Sequence, residues 1–401
     1  MRFPEFKDDW NDYHLRDLCT FHSGGTPSID NVEYWEGEIP FVSAVAMHNT
    51  HIEKTPLTLT EKGLRDGSKQ LEAGNLLLLV RGSMLWNKIP ICYNDVDVAF
   101  NQDVKGIVPN SKTTSLFLLN WIQSHENRIK YMVTGTGIGA GKLDSEDLLA
   151  LNVKLPSLIE QKKIEKFLSL IDERIETQIR IIDKLKSLMQ GLNNYLMDNH
   201  KWTKVYVGDF MDFYSTNSLS WDQLSYANGQ VRNLHYGLIH SGLPTQVDCQ
   251  KVFLPFIKEG FIPKQYAICK DGDVAFADAS EDTTEVGKAV ELTNLKNQVI
   301  ICGLHIIHGR DVKNMTIEGF KGFAFNSKYF HNQLRRIAQG SKVYSINTDN
   351  VKSCYLYIPT IAEQQKIVGL LRYMQEKIEI AEHERQLYEA QKLFLLKGLF
   401  V

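Results

Sequence analysis

The chain has 401 residues, of which 23% are charged and 43% hydrophobic, and it carries a formal net charge of −3. This composition excludes a disordered or fibrous chain, and the length exceeds what one ordinary core fills, so two or three domains are expected. It also excludes a strongly basic protein that grips nucleic acid through its own charge alone, because such binding rests on displacing counterions from phosphates.

From the N-terminus, "MRFPEFKDDWNDY" has no apolar signal segment, and no run approaches about 18 consecutive apolar residues, so a cytoplasmic protein is expected. "WNDYHLRDLCTF" at 10–21 predicts a strand led by Trp10. A mixed segment of short strands follows, with "EIPFVSAVAMHNTHI" at 38–52 and then "EAGNLLLLVRGS" at 72–83, where a Gly turn leads into a buried strand. "TGTGIGAGKLD" at 134–144 fails as a phosphate loop. A Walker A loop needs Gly where Thr136 stands and Ser or Thr where Leu143 stands, and neither register of G-x-G-x-x-G completes. The stretch reads instead as a flexible Gly-rich loop that brings Lys142 close to a nucleic-acid backbone. "KLDSEDLLALNVKLP" at 142–156 predicts a polar loop, a helix cap at Ser145 and a short alternating strand ending at proline.

A long helix begins in "LPSLIEQKKI" at 155–164. Spacing of four and three selects Ile164, Leu168, Ile171, Ile175, Gln178, Ile182, Leu185, Met189, Leu192 and Leu196, nine of ten apolar, which is a heptad seam. The expected helix is about 35 residues and about 50 Å long at about 1.5 Å per residue. Phe167, Leu170, Ile179, Ile181 and Leu188 add apolar surface beyond one seam, for contacts with other subunits or with the chain's own domains.

The second half repeats the first. "WTKVYVGDFMDF" at 202–213 answers the Trp10 strand, "QVRNLHYGLIHSGL" at 230–243 answers 38–52 in placement but little in identity, and "KDGDVAFADASE" at 270–281 answers 72–83. "QGSKVYSIN" at 339–347 is the counterpart of the Gly-rich loop, and "SINTDNVKSCYLYIP" at 345–359 repeats the cap, now at Thr348, and the strand. "IPTIAEQQKI" at 358–367 then opens a second long helix, whose seam runs through Ile367, Leu371, Met374 and Ile378, eight of ten positions to Leu399 being apolar. The fold class is therefore α+β and internally duplicated, with two mixed α/β domains that each lead into a long helix. The scaffold is retained while the variable segments diverge, as in a protein that presents two distinct binding surfaces.

No catalytic motif emerges: there is no Asn-Pro-Pro-Tyr or Asp-Pro-Pro-Tyr amino-methyltransferase signature, no H-E-x-x-H and no nucleophile elbow. The six cysteines, at 19, 92, 249, 269, 302 and 354, show no C-x-x-C or Cys/His spacing, so no metal site and no disulfide framework is expected. Base readout calls for Arg, Lys, Asn, Gln, His or hydroxyl side chains on loops. In the first domain the candidates are Ser23, Thr26, Ser43, Arg81, Ser83, Asn87, Lys88 and Lys142; in the second they are Asn217, Asn233, His235, Tyr236, Asp278, Ser280, Lys342 and Tyr344. Each is equally an ordinary turn or surface residue when taken singly.

"LPSLIEQKKIEKFLSLID" and "IPTIAEQQKIVGLLRYMQ", a proline followed by a Glu-Gln helix entry, occur twice with a full domain between them. In this the chain resembles the specificity (S) subunit of a type I restriction-modification system, over essentially its whole length. The resemblance implies target recognition domains at 1–156 and 201–359, a central long helix at 157–200 and a C-terminal long helix at 360–401. It further implies that the helices pair as an antiparallel coiled coil with pseudo-twofold symmetry, separating the domains. Ile164, Leu168, Ile171, Ile175, Ile182 and Leu185 on the first helix, and Ile367, Leu371, Met374 and Ile378 on the second, would then be helix-pairing positions.

Such a subunit is not catalytic. Each recognition domain reads one half of a bipartite DNA target, and the helices set the spacer and dock two modification subunits. Those subunits hold S-adenosylmethionine and methylate adenine, restriction subunits join them, and this chain binds no cofactor. Charge is consistent with a reader held on DNA by partners: residues 1–155 carry 15 Lys and Arg against 20 Asp and Glu, and residues 202–358 carry 16 against 15. The other reading is a duplicated coiled-coil scaffold that binds proteins without DNA specificity.

Overall fold

The structure, a computed structural model, describes residues 1–136, 139–282, 285–340 and 342–400. The chain forms two compact units, residues 1–179 with 383–401 and residues 180–382. Among the described residues, no helix is long and apolar enough to cross a membrane.

In the first unit, Gly74 takes a positive φ of 87° and turns the chain into the strand Leu76–Leu79, every residue of which is buried. This strand lies at the centre of a five-stranded sheet in the order Cys19–Ser23, Val104–Pro109, Leu76–Leu79, Ile91–Asn94, His51–Ile52. The last pair is parallel and the others antiparallel. A four-stranded sheet, Leu57–Leu59, Trp35–Val42, Val98–Phe100, Gln70–Leu71, has its parallel pair in the middle. The Trp10-led strand, Asn11–His14, pairs antiparallel with Asn152–Leu155, the alternating strand before Pro156.

The second unit repeats this topology. Its five-stranded sheet runs Met211–Tyr214, Ile306–Asp311, Val274–Ala277, Ala289–Thr293, Gln246–Asp248, again with only the last pair parallel. Val231–Leu234 lies parallel to Val299–Cys302, as Trp35–Val42 does to Val98–Phe100. Thr203–Tyr206 pairs with Tyr355–Ile358. Duplication read from short sequence echoes is thus a duplication of strand pairing.

The helix caps differ from expectation by one residue. Asp144 and Asn347, rather than Ser145 and Thr348, cap the helices Ser145–Leu149 and Thr348–Ser353. Their side-chain oxygens accept from the backbone N–H of Glu146 and of Asn350, each at 2.9 Å, leaving Ser145 and Thr348 as the first helical residues.

The central helix spans Leu158–Met197 and the C-terminal helix Ile361–Leu399, 40 and 39 residues. Both exceed the expected 35 because the helix starts two residues after each proline. The repeated Gln explains the repeated motif. Gln161 is buried, its Nε2 donates to the carbonyls of Lys112 at 3.0 Å and Pro156 at 2.9 Å, and its Oε1 accepts from the Thr113 hydroxyl at 3.0 Å. Gln364 is equally buried and does the same with the carbonyls of Met315 and Pro359 and the N–H of Ile317, at 2.9, 3.0 and 2.8 Å. The neighbouring Glu diverges. Glu160 is buried against the Arg2 guanidinium at 2.8 Å, whereas Glu363 is exposed and closes a capping box with Thr360.

Within the first unit the two helices run antiparallel: Asp172 meets Lys392 at 2.6 Å and Gln178 donates to Glu384 at 3.0 Å. Ile164, Leu168 and Ile171 enter the first core beside Leu395, Leu396 and Leu399, with Ile175 packed against it. Within the second unit Lys186 meets Glu382 at 2.6 Å. Ile367 and Leu371 enter that unit's core, and Ile378 and Ile182 are buried, while Met374 and Leu185 are half-buried. Leu170, Ile179, Ile181 and Leu188 stay exposed, whereas Phe167 packs edge-on to Phe3 at 5.8 Å.

Candidate nucleic-acid interface

In the first unit the Gly-rich loop folds back as two short strands, Thr134–Gly135 and Gly141–Lys142, and the second pairs with Arg81–Gly82. Lys142 therefore lies directly opposite Arg81, and both side chains are exposed. Asp103 stands 4.0 Å from Arg81 and Asp144 3.8 Å from Lys142. Such long, solvated pairs are weak, which leaves both cations able to exchange partners. Trp86, 46% exposed, donates from Nε1 to the Gly139 carbonyl at 3.0 Å and holds the loop. Gly137 and Ile138 of this loop lie outside the described residues.

Ser83, Asn87 and Lys88 follow Arg81 through a short helical turn, with Ser83 and Asn87 exposed. Lys130 donates to the Asn87 carbonyl at 2.8 Å. The turn Asn101–Asp103 connects this ledge to a second group. Asp103 faces Arg81, Gln102 accepts from the Thr26 hydroxyl at 2.7 Å, and Lys105 donates to the Ser23 hydroxyl. The "SGGTPS" loop is pinned here, since a Cβ on Gly24 would stand 2.0 Å from the Phe100 carbonyl oxygen. Thr26, Ser43 and Asn101 line a cavity of about 540 Å³ with Trp35 and Phe41.

The second unit has the corresponding small sheet, Ala279–Ser280 paired with Tyr344–Ser345, so that Ser280 lies opposite Tyr344. Lys342 is exposed beside it, and Ser341 lies outside the described residues. Asp278 pairs with His305 at 3.1 Å, and the Tyr236 ring lies 5.1 Å from the His305 ring. Burial raises the Asp278 carboxyl above its usual range, and His305 opposes that shift. Asp278 and His305 line a cavity of about 690 Å³ with Asn217, Gln265 and Tyr266.

Two expected contact residues are corrected by burial. Asn233 is fully enclosed, and its Oδ1 accepts from Asn217 at 2.8 Å. His235 is also buried. Its Nδ1 accepts from the Gly237 N–H at 3.1 Å, capping the helix Tyr236–His240, and its ring lies 4.4 Å from Trp221. Burial pushes the His235 ring below its ordinary pKa, with His305 adding to the shift. Asn217 commits its amide to Asn233, the Cys302 carbonyl and the Leu219 N–H. These three build the wall behind the face. The same faces carry residues that sequence reasoning passed over: Trp86, Gln102 and Lys105 in the first unit, His305 and Gln265 in the second. Trp86 sat inside a loop already singled out, whereas His305 had no local signal.

The pattern described as "Type I restriction modification DNA specificity domain" matches residues 7–187, a little under half of the chain. The type I restriction enzyme EcoR124I/EcoR124II specificity subunit of Escherichia coli is 28% identical over 43% of this chain and 43% of its own length, so the chain spans less than half of that relative. The MjaVIII specificity subunit of Methanocaldococcus jannaschii is 24% identical over 98% of this chain and 91% of its length. Among solved structures, the type I restriction-modification S subunit from M. genitalium covers 100% of this chain and 99% of its own, with a TM-score of 0.54 at 14% identity, a likeness of fold. In its duplicated topology and long helices the chain is similar over its whole length to type I restriction-modification specificity subunits, and its first half matches their DNA specificity domain.

Proposed function

We propose that each unit reads one half of a bipartite double-stranded DNA target through the face built around its small sheet. One observation carries this reading: the two units share strand pairing and helix anchors, yet the corresponding small sheets present different side chains. Arg81 faces Lys142 in one, and Ser280 faces Tyr344 in the other. A common scaffold with unlike faces serves an asymmetric split target, where cations meet guanine or phosphate and hydroxyls meet adaptable partners.

The long helices set the spacer between half-sites and dock two modification subunits. Those subunits hold S-adenosylmethionine and methylate adenine, restriction subunits join the assembly, and the work is done in the cytoplasm. Exposed Leu170, Ile179, Ile181 and Leu188 support helix docking, being apolar surface outside the mutual seam. The near-neutral charge supports it too, because this chain alone lacks the basic excess of a self-sufficient binder.

The test is single-molecule methylation mapping of DNA from cells that express the chain with its neighbouring methyltransferase subunit. A new split motif carrying N6-methyladenine on both strands is expected. A stable complex of the two subunits that leaves no new mark would instead support a protein-binding scaffold.

A further inference from the structure

The second unit brings together three side chains that lie far apart in sequence. Cys269 precedes the turn into the strand Val274–Ala277, Cys302 ends Val299–Cys302, and His308 sits within Ile306–Asp311. The bridge between Ile268 and Ile301 and the pairing of Ala275 with His308 converge on one point of the interior. There the two Sγ atoms are 3.6 Å apart, and both lie within 4.8 Å of a ring nitrogen of His308. All three residues are buried.

The histidine is poised as a ligand. Its Nε2 is 2.7 Å from Asp273 Oδ2, so Nε2–H donates to the carboxylate and Nδ1 is the ring nitrogen left for another partner. Nδ1 is buried and has no hydrogen-bond partner. A buried acceptor without a donor is costly, and a cation would satisfy it. Asp273 is itself held by Arg310 through contacts of 2.7 Å from Nε and Nη2. Charges therefore close: two thiolates and a neutral imidazole balance a divalent ion, and Asp273 balances Arg310.

The first unit supplies an internal control. Gly106 pairs with Leu77 there as His308 pairs with Ala275 here, and Leu71 and Phe100 stand in the strand positions of Cys269 and Cys302. A Cβ on Gly106 would meet Leu71 Cδ1 and Phe100 Cζ, each at 3.1 Å. That place is filled by apolar side chains in one unit. In the other it holds two sulfurs and an imidazole.

We propose that Cys269, Cys302 and His308 bind a zinc ion that staples the core of the second unit, with Asp273 orienting the histidine and water in the fourth position. Two thiol protons leave to solvent on binding, and no electron moves. The sulfur separation suits two thiolates on one tetrahedral ion with Zn–S bonds of about 2.3 Å.

The 401-residue chain, expressed whole and purified without chelator, is expected to carry about one zinc per chain by mass spectrometry of the metal. The Cys302→Ala variant should lose it. Cobalt exchanged into the wild type should give a thiolate-to-cobalt charge-transfer absorption that Cys302→Ala lacks. A triple variant copying the first unit, Cys269→Leu, Cys302→Phe and His308→Gly, guards against simple misfolding. Chelator should lower the melting temperature of the wild type and leave that of a folded triple variant unchanged. Wild-type chain that retains no zinc, holds copper instead, or shows a Cys269–Cys302 disulfide in peptide mass spectrometry overturns the proposal.

Discussion

At the scale of single residues, the repeated Gln161 and Gln364 are interior fasteners, each amide making three hydrogen bonds out of reach of water. Leucine at either position leaves buried carbonyls without a donor. Gln161→Leu and Gln364→Leu are each expected to cost about 1–3 kcal/mol in denaturant unfolding, in the unit that holds the residue. His331 sets a pH dependence. It is held below its ordinary pKa first by burial, with Arg335 and Lys288 adding to the shift and Glu285 opposing it. The unfolded chain therefore takes up this proton more readily than the folded one. Stability is complete above the unfolded value near 6.5 and is lost as pH falls from there towards the folded value. The His331→Phe variant should show a smaller fall in melting temperature between pH 8 and pH 5 than the wild type, and an equal fall would refute the assignment.

At the scale of elements, the helices were legible as periodicity, and their seams are buried or half-buried where spacing of four and three placed them. A central helix of 40 residues extends about 60 Å at about 1.5 Å per residue. Deleting one heptad from both helices in register should keep both half-sites and shorten the spacer in the methylation motif; altered half-sites with an unchanged spacer would sink the ruler role. In the proposed reading the exposed outer stripe is where partner subunits dock. Leu170→Glu with Leu188→Glu is expected to change unfolding stability by less than about 0.5 kcal/mol per site, because both residues are exposed. The same pair should reduce co-purification with the methyltransferase subunit, and undiminished co-purification would place docking elsewhere.

At the scale of the whole molecule, a net charge of −3, with 45 Lys and Arg against 48 Asp and Glu, means that the chain's exposed cations matter through placement rather than number. Removing Arg81 and Lys142 together should flatten the salt dependence of DNA binding by the assembled complex, measured as the slope of log affinity against log salt. It should also degrade one half-site and spare the other. Duplication, the helix seams and the proline-to-helix junctions were readable in the sequence because each is a local pattern, either copied or periodic. The caps at Asp144 and Asn347 were missed by one residue, since Asp-Ser and Asn-Thr offer two adjacent acceptors and only backbone geometry chooses. Which loop side chains reach solvent was not readable. Asn233 and His235 look like DNA readers in isolation, but strand pairing and the tilted ring contact with Trp221 turn them inward. Nor was the meeting of Cys269, Cys302 and His308, which no spacing announces. Local propensity and periodicity act along the chain and so are written in it, whereas those placements depend on strands closing across dozens of residues, and only the tertiary structure decides them.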